Sequence, residues 1–204
     1  MIKFKAVFFS LFLVVVGQMA FADSTGVAHL NQLLQNFTSL QANFTETIQN
    51  GQGNGDISQG RLAILKPNQF NWHILSPDEE WYISNGQQVW NVEPDLQQVT
   101  ISPLSHNLST TPLLVLGGQV QDLSQLFTVT MLDPNDYVLV PKDPNSMVKK
   151  IKLVFDTSGV IQSLEMTNTM DQTSILQFSQ VKLNQPMSSS QFQYHIPAGM
   201  DVLS

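Results

Sequence analysis

The chain contains no cysteine. That excludes disulfide staples and thiolate chemistry, so a packed core has to supply the stability alone. Charge is scarce too. Asp, Glu, Lys and Arg make up 12% of 204 residues, about half of the roughly one quarter usual in soluble domains. Gln, Asn, Ser and Thr must therefore supply much of the wettable surface. What charge exists is mostly negative, with a formal net of −7. No basic run is present, so nothing draws the chain along a phosphate backbone, and nucleic acid is excluded as a partner. An anionic membrane surface repels it for the same reason. Beyond the first two dozen residues, no apolar run is long enough to cross a bilayer as a helix.

The first residues read as a leader. Lys3 and Lys5 form a basic start, Ala6 to Gly17 is a short apolar run, and Ala20-Phe21-Ala22 is a small-x-small cleavage pattern. Residues 1–22 are thus expected to be a cleaved secretory signal peptide. Residues 23–204 then form one domain, exported and soluble, whose charge falls to −9 once Lys3 and Lys5 are gone.

Catalytic constellations are missing as well. His29, His73, His106 and His195 stand singly, none with a ligand partner three or four residues away. There is no G-x-S-x-G elbow, phosphate-binding loop or dinucleotide fingerprint. Asp78-Glu79-Glu80 follows a proline, and Glu93 and Asp95 flank another, so these read as turn acids. No enzyme, no metal and no cofactor is expected.

What is there is a succession of short apolar strands, organised around Gly60 to Ile74. Leu62 and Ile64 alternate with polar or small neighbours, then Phe70, Trp72 and Ile74 alternate after a corner at Pro67-Asn68. Pro67 has no N–H and cannot sit in a central strand, whereas Pro-Asn is good turn chemistry. The result is a curved apolar wall with Lys66 at its rim, which suits either an ordinary core or the lining of a site.

Upstream, Val27, Leu30, Leu33, Leu34 and Phe37 have helical spacing after a hydroxyl-bearing start, predicting a helix over 24–37. Leu40, Phe44 and Ile48 also fit a continued helix, but the threonines around them favour a strand over 40–49. Asn50 to Asp56, with three glycines, reads as a loop. Downstream, Asn85-Gly86 between alternating segments is the strongest hairpin signal. The spacing predicts ten or eleven strands in one antiparallel meander, which must curl or split.

Two short helical signals interrupt the strands, one at Thr111 to Gly117 and one at Asp122 to Phe127. With the first helix they are too few to cover both faces, so a curved sheet with helices on its concave side is the economical arrangement. A helix carrying Leu113, Leu114 and Leu116 over barely two turns is marginal alone and suits a lid. Six methionines follow the leader, at Met131, Met147, Met166, Met170, Met187 and Met200, and read first as core filling.

The segment Gly60-x-Leu62…Lys66-Pro67-Asn68-x-Phe70-Asn71-Trp72 resembles the central motif of the periplasmic outer-membrane lipoprotein carrier family, LolA. Leu30…Leu33…Phe37…Leu40…Phe44, Ser84-Asn85-Gly86…Val89-Trp90, Gln97-Gln98-Val99 and Thr111-Pro112-Leu113-Leu114 are similar to further family segments in the same order. So are Tyr137 to Lys142 and the closing Phe192…Ile196-Pro197…Gly199-Met200-Asp201-Val202.

The resemblance implies an unclosed antiparallel half β-barrel, mainly β with short helices, and an α-helical lid over a hydrophobic cavity. It implies a monomeric carrier in the periplasm of a Gram-negative bacterium, taking acylated lipoproteins from an inner-membrane ABC-type releasing complex to an outer-membrane lipoprotein receptor. Leu62, Ile64, Phe70, Trp72, Leu113, Leu114 and Leu116 would then meet the acyl chains. The family carries arginine before the motif proline, bonded to lid backbone. Here that residue is Lys66, a point charge on a flexible stem without the planar fork. Arg61 lies five residues away, so alternation puts it on the opposite face. A periplasmic lipid-binding or sensor module on the same half-barrel, and an uncharacterised hydrolase, are the competing classes.

Overall fold

The computed structural model describes residues 24–50, 53–104, 113–118 and 123–204. The expected leader with its expected cleavage site, the expected cap of the first helix, Thr111, Pro112 and His106 lie outside the described residues.

The first helix, α1, spans Ser24–Gln35, slightly shorter than expected. Its exit is fastened by one side chain from far along the chain. Asn184 Nδ2 donates to Asn36 O at 3.1 Å, and Thr38 N donates to Asn184 Oδ1 at 2.8 Å. One carbonyl and one N–H of the turn that leaves the helix are thereby satisfied, and the chain turns directly into a strand.

Twelve strands follow. They are β1 (Ser39–Asn50), β2 (Gly53–Leu65), β3 (Gln69–Ser76), β4 (Glu80–Asn85), β5 (Gln88–Glu93) and β6 (Gln98–Pro103). After an interval come β7 (Phe127–Asp133), β8 (Asp136–Pro141), β9 (Val148–Phe155), β10 (Ile161–Asn168), β11 (Thr173–Leu183) and β12 (Asp201–Leu203). All twelve belong to one sheet, in the order β12-β6-β5-β4-β3-β2-β1-β11-β10-β9-β8-β7.

Three expectations need correction. The count of ten or eleven misses β12, which is three exposed residues running parallel to β6 and so shows no buried alternation. The glycine-rich loop at 50–56 is mostly strand, because pairing of β1 with β2 continues out to Asn50 and Gly53. Ladder bonds need only the backbone, so glycine does not prevent them where both neighbours pair. Finally, the sheet is two meanders, β1 to β6 and β7 to β11, joined where β1 pairs with β11.

That join positions the helices. β6 and β7 lie toward opposite flanks of the sheet, and the described parts of the chain between them pack on the inner face. These parts carry α2 (Leu113–Gly117) and α3 (Leu123–Leu126). α2 packs on β2 and β3, and α3 packs on β7 and α1.

Both halves of the sheet send side chains into one core. Leu40, Phe44, Leu62, Ile64 and Phe70 come from one half and Leu139, Ile151, Leu153 and Leu164 from the other. Leu30, Leu34, Phe37, Leu116 and Leu123 enter it from the helices and their ends. A sheet whose two wings meet the same cluster is curled around its helices, and β7 and β12 end it unpaired with each other. A second, smaller core of Ile83, Trp90, Val92 and Val99 sits on the opposite face, packed with Trp81, Tyr194 and Met200. The closing segment covers it, with Phe192 fully buried.

Candidate functional site

The corner between β2 and β3 sets the register of the wall. Asn68 takes a left-handed φ of +62°, a conformation asparagine tolerates better than most residues. Leu62 then faces Trp72 across the ladder, and Ile64 faces Phe70. Leu62, Ile64 and Phe70 are buried and Trp72 packs half-buried against the same cluster. The structure therefore brings all four together on the inner face. Phe44 of β1 extends the wall, its ring edge-on to Trp72 with centroids 5.3 Å apart. Space for that ring comes from Gly60. A Cβ there would lie 2.2 Å from His73 O and 2.5 Å from Phe44 Cζ, so only glycine fits.

The cover is α2. Leu116 is fully buried on the wall, and the side chains of Leu113 and Leu114 lie outside the described ones. Gly117 closes the helix against Ile64, where an added Cβ would sit 3.0 Å from Ile64 Cγ2. One backbone bond ties this helix to the corner, Asn68 N donating to Gly117 O at 2.9 Å.

Lys66 reaches elsewhere. Its Nζ donates to Leu34 O in the last turn of α1, and lies 3.6 Å from the centroid of the Phe37 ring. Its main-chain N donates to Thr38 O at 2.9 Å. A cation at a helix C-terminus meets unsatisfied carbonyls and the negative end of the dipole, and the ring face adds attraction. Burial acts in the other direction and pushes the ammonium down to about 8. So Lys66 ties the wall to α1, whereas α2 is held through Asn68. Arg61 is exposed on the opposite face, across from His73 and Asn43, as alternation requires.

A polar fringe borders the wall. Trp72, Tyr82 and Asn91 stand side by side on β3, β4 and β5. Trp72 Nε1 and Asn91 Oδ1 are buried without a hydrogen-bond partner among the described residues, as is Asn31 Oδ1 on α1. Burial, and then the Glu80 carboxylate beside it, push the Tyr82 hydroxyl well up. Glu46 accepts from Ser58 Oγ at 3.1 Å and Ser174 Oγ at 2.5 Å. Apart from Trp72, and Glu80 which reads as a turn acid, none of these residues was singled out from the sequence. For those on strands, parity with Phe44 and Trp72 is the signal that could have found them; Asn31, on α1, had none.

Other expectations resolve plainly. Asp95 is exposed at a turn, and Glu93 accepts from Gln98 Nε2 at 3.4 Å. His29 Nδ1 lies 2.5 Å from the Tyr137 hydroxyl, and His73 pairs with Glu79. Met131 and Met166 pack on the main core, whereas Met147 and Met170 are exposed.

With the wall, its helical cover and the two-winged sheet in view, comparison with known proteins is decisive. A family model described as outer membrane lipoprotein carrier protein LolA matches residues 35–195. The chain belongs to the LolA family. Among LolA relatives, the outer-membrane lipoprotein carrier protein of Pseudomonas syringae pv. syringae (strain B728a) is 35% identical over 188 residues, covering 90% of each chain. That of Coxiella burnetii (strain CbuK_Q154) is 36% identical over 200 residues, covering 95% of this chain and 93% of the relative. The LolA fold also appears in a solved superfamily protein from Nitrosomonas europaea, at 13% identity and TM-score 0.51, covering 86% of this chain and 99% of that one. An uncharacterised conserved protein from Thermus thermophilus reaches a TM-score of 0.55 at 14% identity, covering 88% and 99%.

Proposed function

We propose that this LolA-family chain is a periplasmic carrier that holds the acyl chains of lipoproteins against the inner wall. It accepts them from an inner-membrane ABC-type releasing complex and passes them to an outer-membrane lipoprotein receptor, acting as a monomer after removal of residues 1–22. The observation that carries this reading is a broad apolar wall closed by short helices rather than by a second sheet. Each buried methylene is worth about 0.8 kcal/mol, so one sixteen-carbon chain represents on the order of 10 kcal/mol that only an apolar surface can offset.

An open wall would lose a similar amount to water. The cover solves this by filling the space until cargo displaces it. Apolar side chains of α2 and α1 leave the wall as acyl chains arrive, so one apolar contact is exchanged for another. Loading and unloading then both stay close to balance, which a carrier between two membranes needs. The ties on the cover suit that exchange. α2 is held by one backbone bond at Asn68, and α1 by an ammonium kept charged at a desolvation cost. Lysine in place of arginine makes the second tie a single point contact rather than a fork.

The test is mass spectrometry of what co-purifies with the protein from periplasm. Acylated lipoprotein is the expected cargo. Free lipid alone would instead favour a lipid-binding or sensor role on the same half-barrel. Phe70→Glu places a carboxylate in the wall and should abolish cargo acceptance; unchanged folding together with unchanged acceptance would overturn the assignment.

A further inference from the structure

The strands that carry the apolar wall on one face carry a polar pocket on the other. It encloses about 300 Å³, and its lining includes Gln41, Asn43, Arg61, Asn71, Lys182 and Gln191. The ladder explains its shape. One row across the sheet places Lys182 beside Gln41, Gln41 beside Ala63 and Ala63 beside Asn71. The next row places Asn43 beside Arg61 and Arg61 beside His73. Ala63 is the floor, since a lone methyl leaves open the space that longer side chains fill around it. The register of β1 against β11 shifts between Gln41 and Asn43, where Gln180 takes a φ of +52°. Such a bulge bends the surface and re-aims its side chains. The closing segment supplies one wall, fixed by Asn71 Nδ2 donating to Gln191 O at 2.8 Å.

The charge of this pocket runs against that of the chain. Sixteen acidic residues outnumber nine basic ones overall, yet no carboxylate lines the pocket. Arg61, the single arginine of the sequence, and Lys182 both do. Neither makes an ion pair among the described residues. The acid at its border, Glu79, is engaged by His73 Nε2 at 2.8 Å. A guanidinium fork and an ammonium across one concavity, edged by amide N–H donors, match a multivalent oxygen acceptor.

We propose that this outer pocket binds an oxyanion, the carboxylate or phosphate of a small polar molecule. Its volume lies at the lower end of small-molecule sites, about 300 to 1,000 Å³, and admits a ligand of amino-acid or monosaccharide size. Lying on the face opposite the acyl wall, it is open whether or not the wall is covered. The proposal is therefore independent of the carrier role.

Titration of the intact isotope-labelled protein with inorganic phosphate, glycerol 3-phosphate or citrate, followed by nuclear magnetic resonance, tests it. Saturable shifts should be confined to residues around Ala63, including 41, 43, 61, 71, 182 and 191. Phosphate probes alone, citrate alone or both giving that pattern each support the proposal and assign the anion. Arg61→Gln and Lys182→Gln should each weaken binding about fivefold or more, as expected for loss of a charge-assisted bond. Ala63→Leu, which fills the floor without changing charge, should remove it. Shifts that fail to saturate by about 10 mM, that appear equally at Lys149 to Lys152, or that persist in Arg61→Gln and Ala63→Leu would overturn it.

Discussion

The two faces of β1 to β3 are built from alternate residues of the same three strands, yet they have nothing chemical in common. Inward, Phe44, Leu62, Ile64, Phe70 and Trp72 make one apolar wall joined to the helices. Outward, Asn43, Arg61, Ala63, Asn71 and His73 make a polar concavity. Period-two alternation assigns each residue to a face, and a one-residue slip would exchange the two environments entirely. Neighbours in sequence should thus respond very differently to substitution.

The largest contrast is expected between Ile64 and Ala63. Ile64→Ala opens a cavity under α2 and should cost about 3 to 4 kcal/mol in urea unfolding, whereas Ala63→Ser should stay within about 0.5 kcal/mol. Similar losses at both positions would mean that the faces are not separate. Next comes Gly60, where the wall meets the ladder. Gly60→Ala drives a methyl into His73 O and the Phe44 ring and should cost about 2 to 3 kcal/mol, read by the same unfolding curves.

Lys66 sharpens the comparison from the rim. Its folded pKa of about 8 lies below the ordinary 10.5, so between these values the unfolded chain binds the proton more tightly. Stability relative to Lys66→Met should be flat below about pH 8, rise by about 1 to 2 kcal/mol toward pH 10.5, and then level off. Paired unfolding measurements across that window give the answer, and a fall with pH would reverse the assigned cause. The smallest effect belongs to Trp72→Phe. Removing a buried N–H that has no acceptor should leave stability unchanged or raise it by up to about 1 kcal/mol, despite the ring's place in the wall.

The sequence makes the wall legible because strand alternation and turn chemistry are local. Leu62, Ile64, Phe70 and Trp72 share a face in the structure as their spacing requires, and Asn85-Gly86 turns the expected hairpin, Gly86 taking a φ of +93°. Long-range features were not legible. Nothing local says that β1 pairs with β11, and that pairing sets β6 and β7 toward opposite flanks of the sheet. Lys66 was expected to bear on the helical cover, but nothing local named its partner, Leu34 O of α1, which lies 32 residues away. The outer pocket depends on four strands in register, a bulge and the closing segment together.

Acyl chains held on the inner wall would meet one tryptophan and not the others, because the tryptophans divide the two faces cleanly. Trp72 packs against the inner core, whereas Trp81 and Trp90 belong to the outer cluster. A form retaining only Trp72 and a form retaining only Trp90 can each be titrated with a triacylated lipopeptide carrying brominated chains. Trp72 should be strongly quenched, with emission from Trp90 unchanged. Bound lipopeptide that quenches Trp90 and leaves Trp72 bright would contradict that placement of the chains.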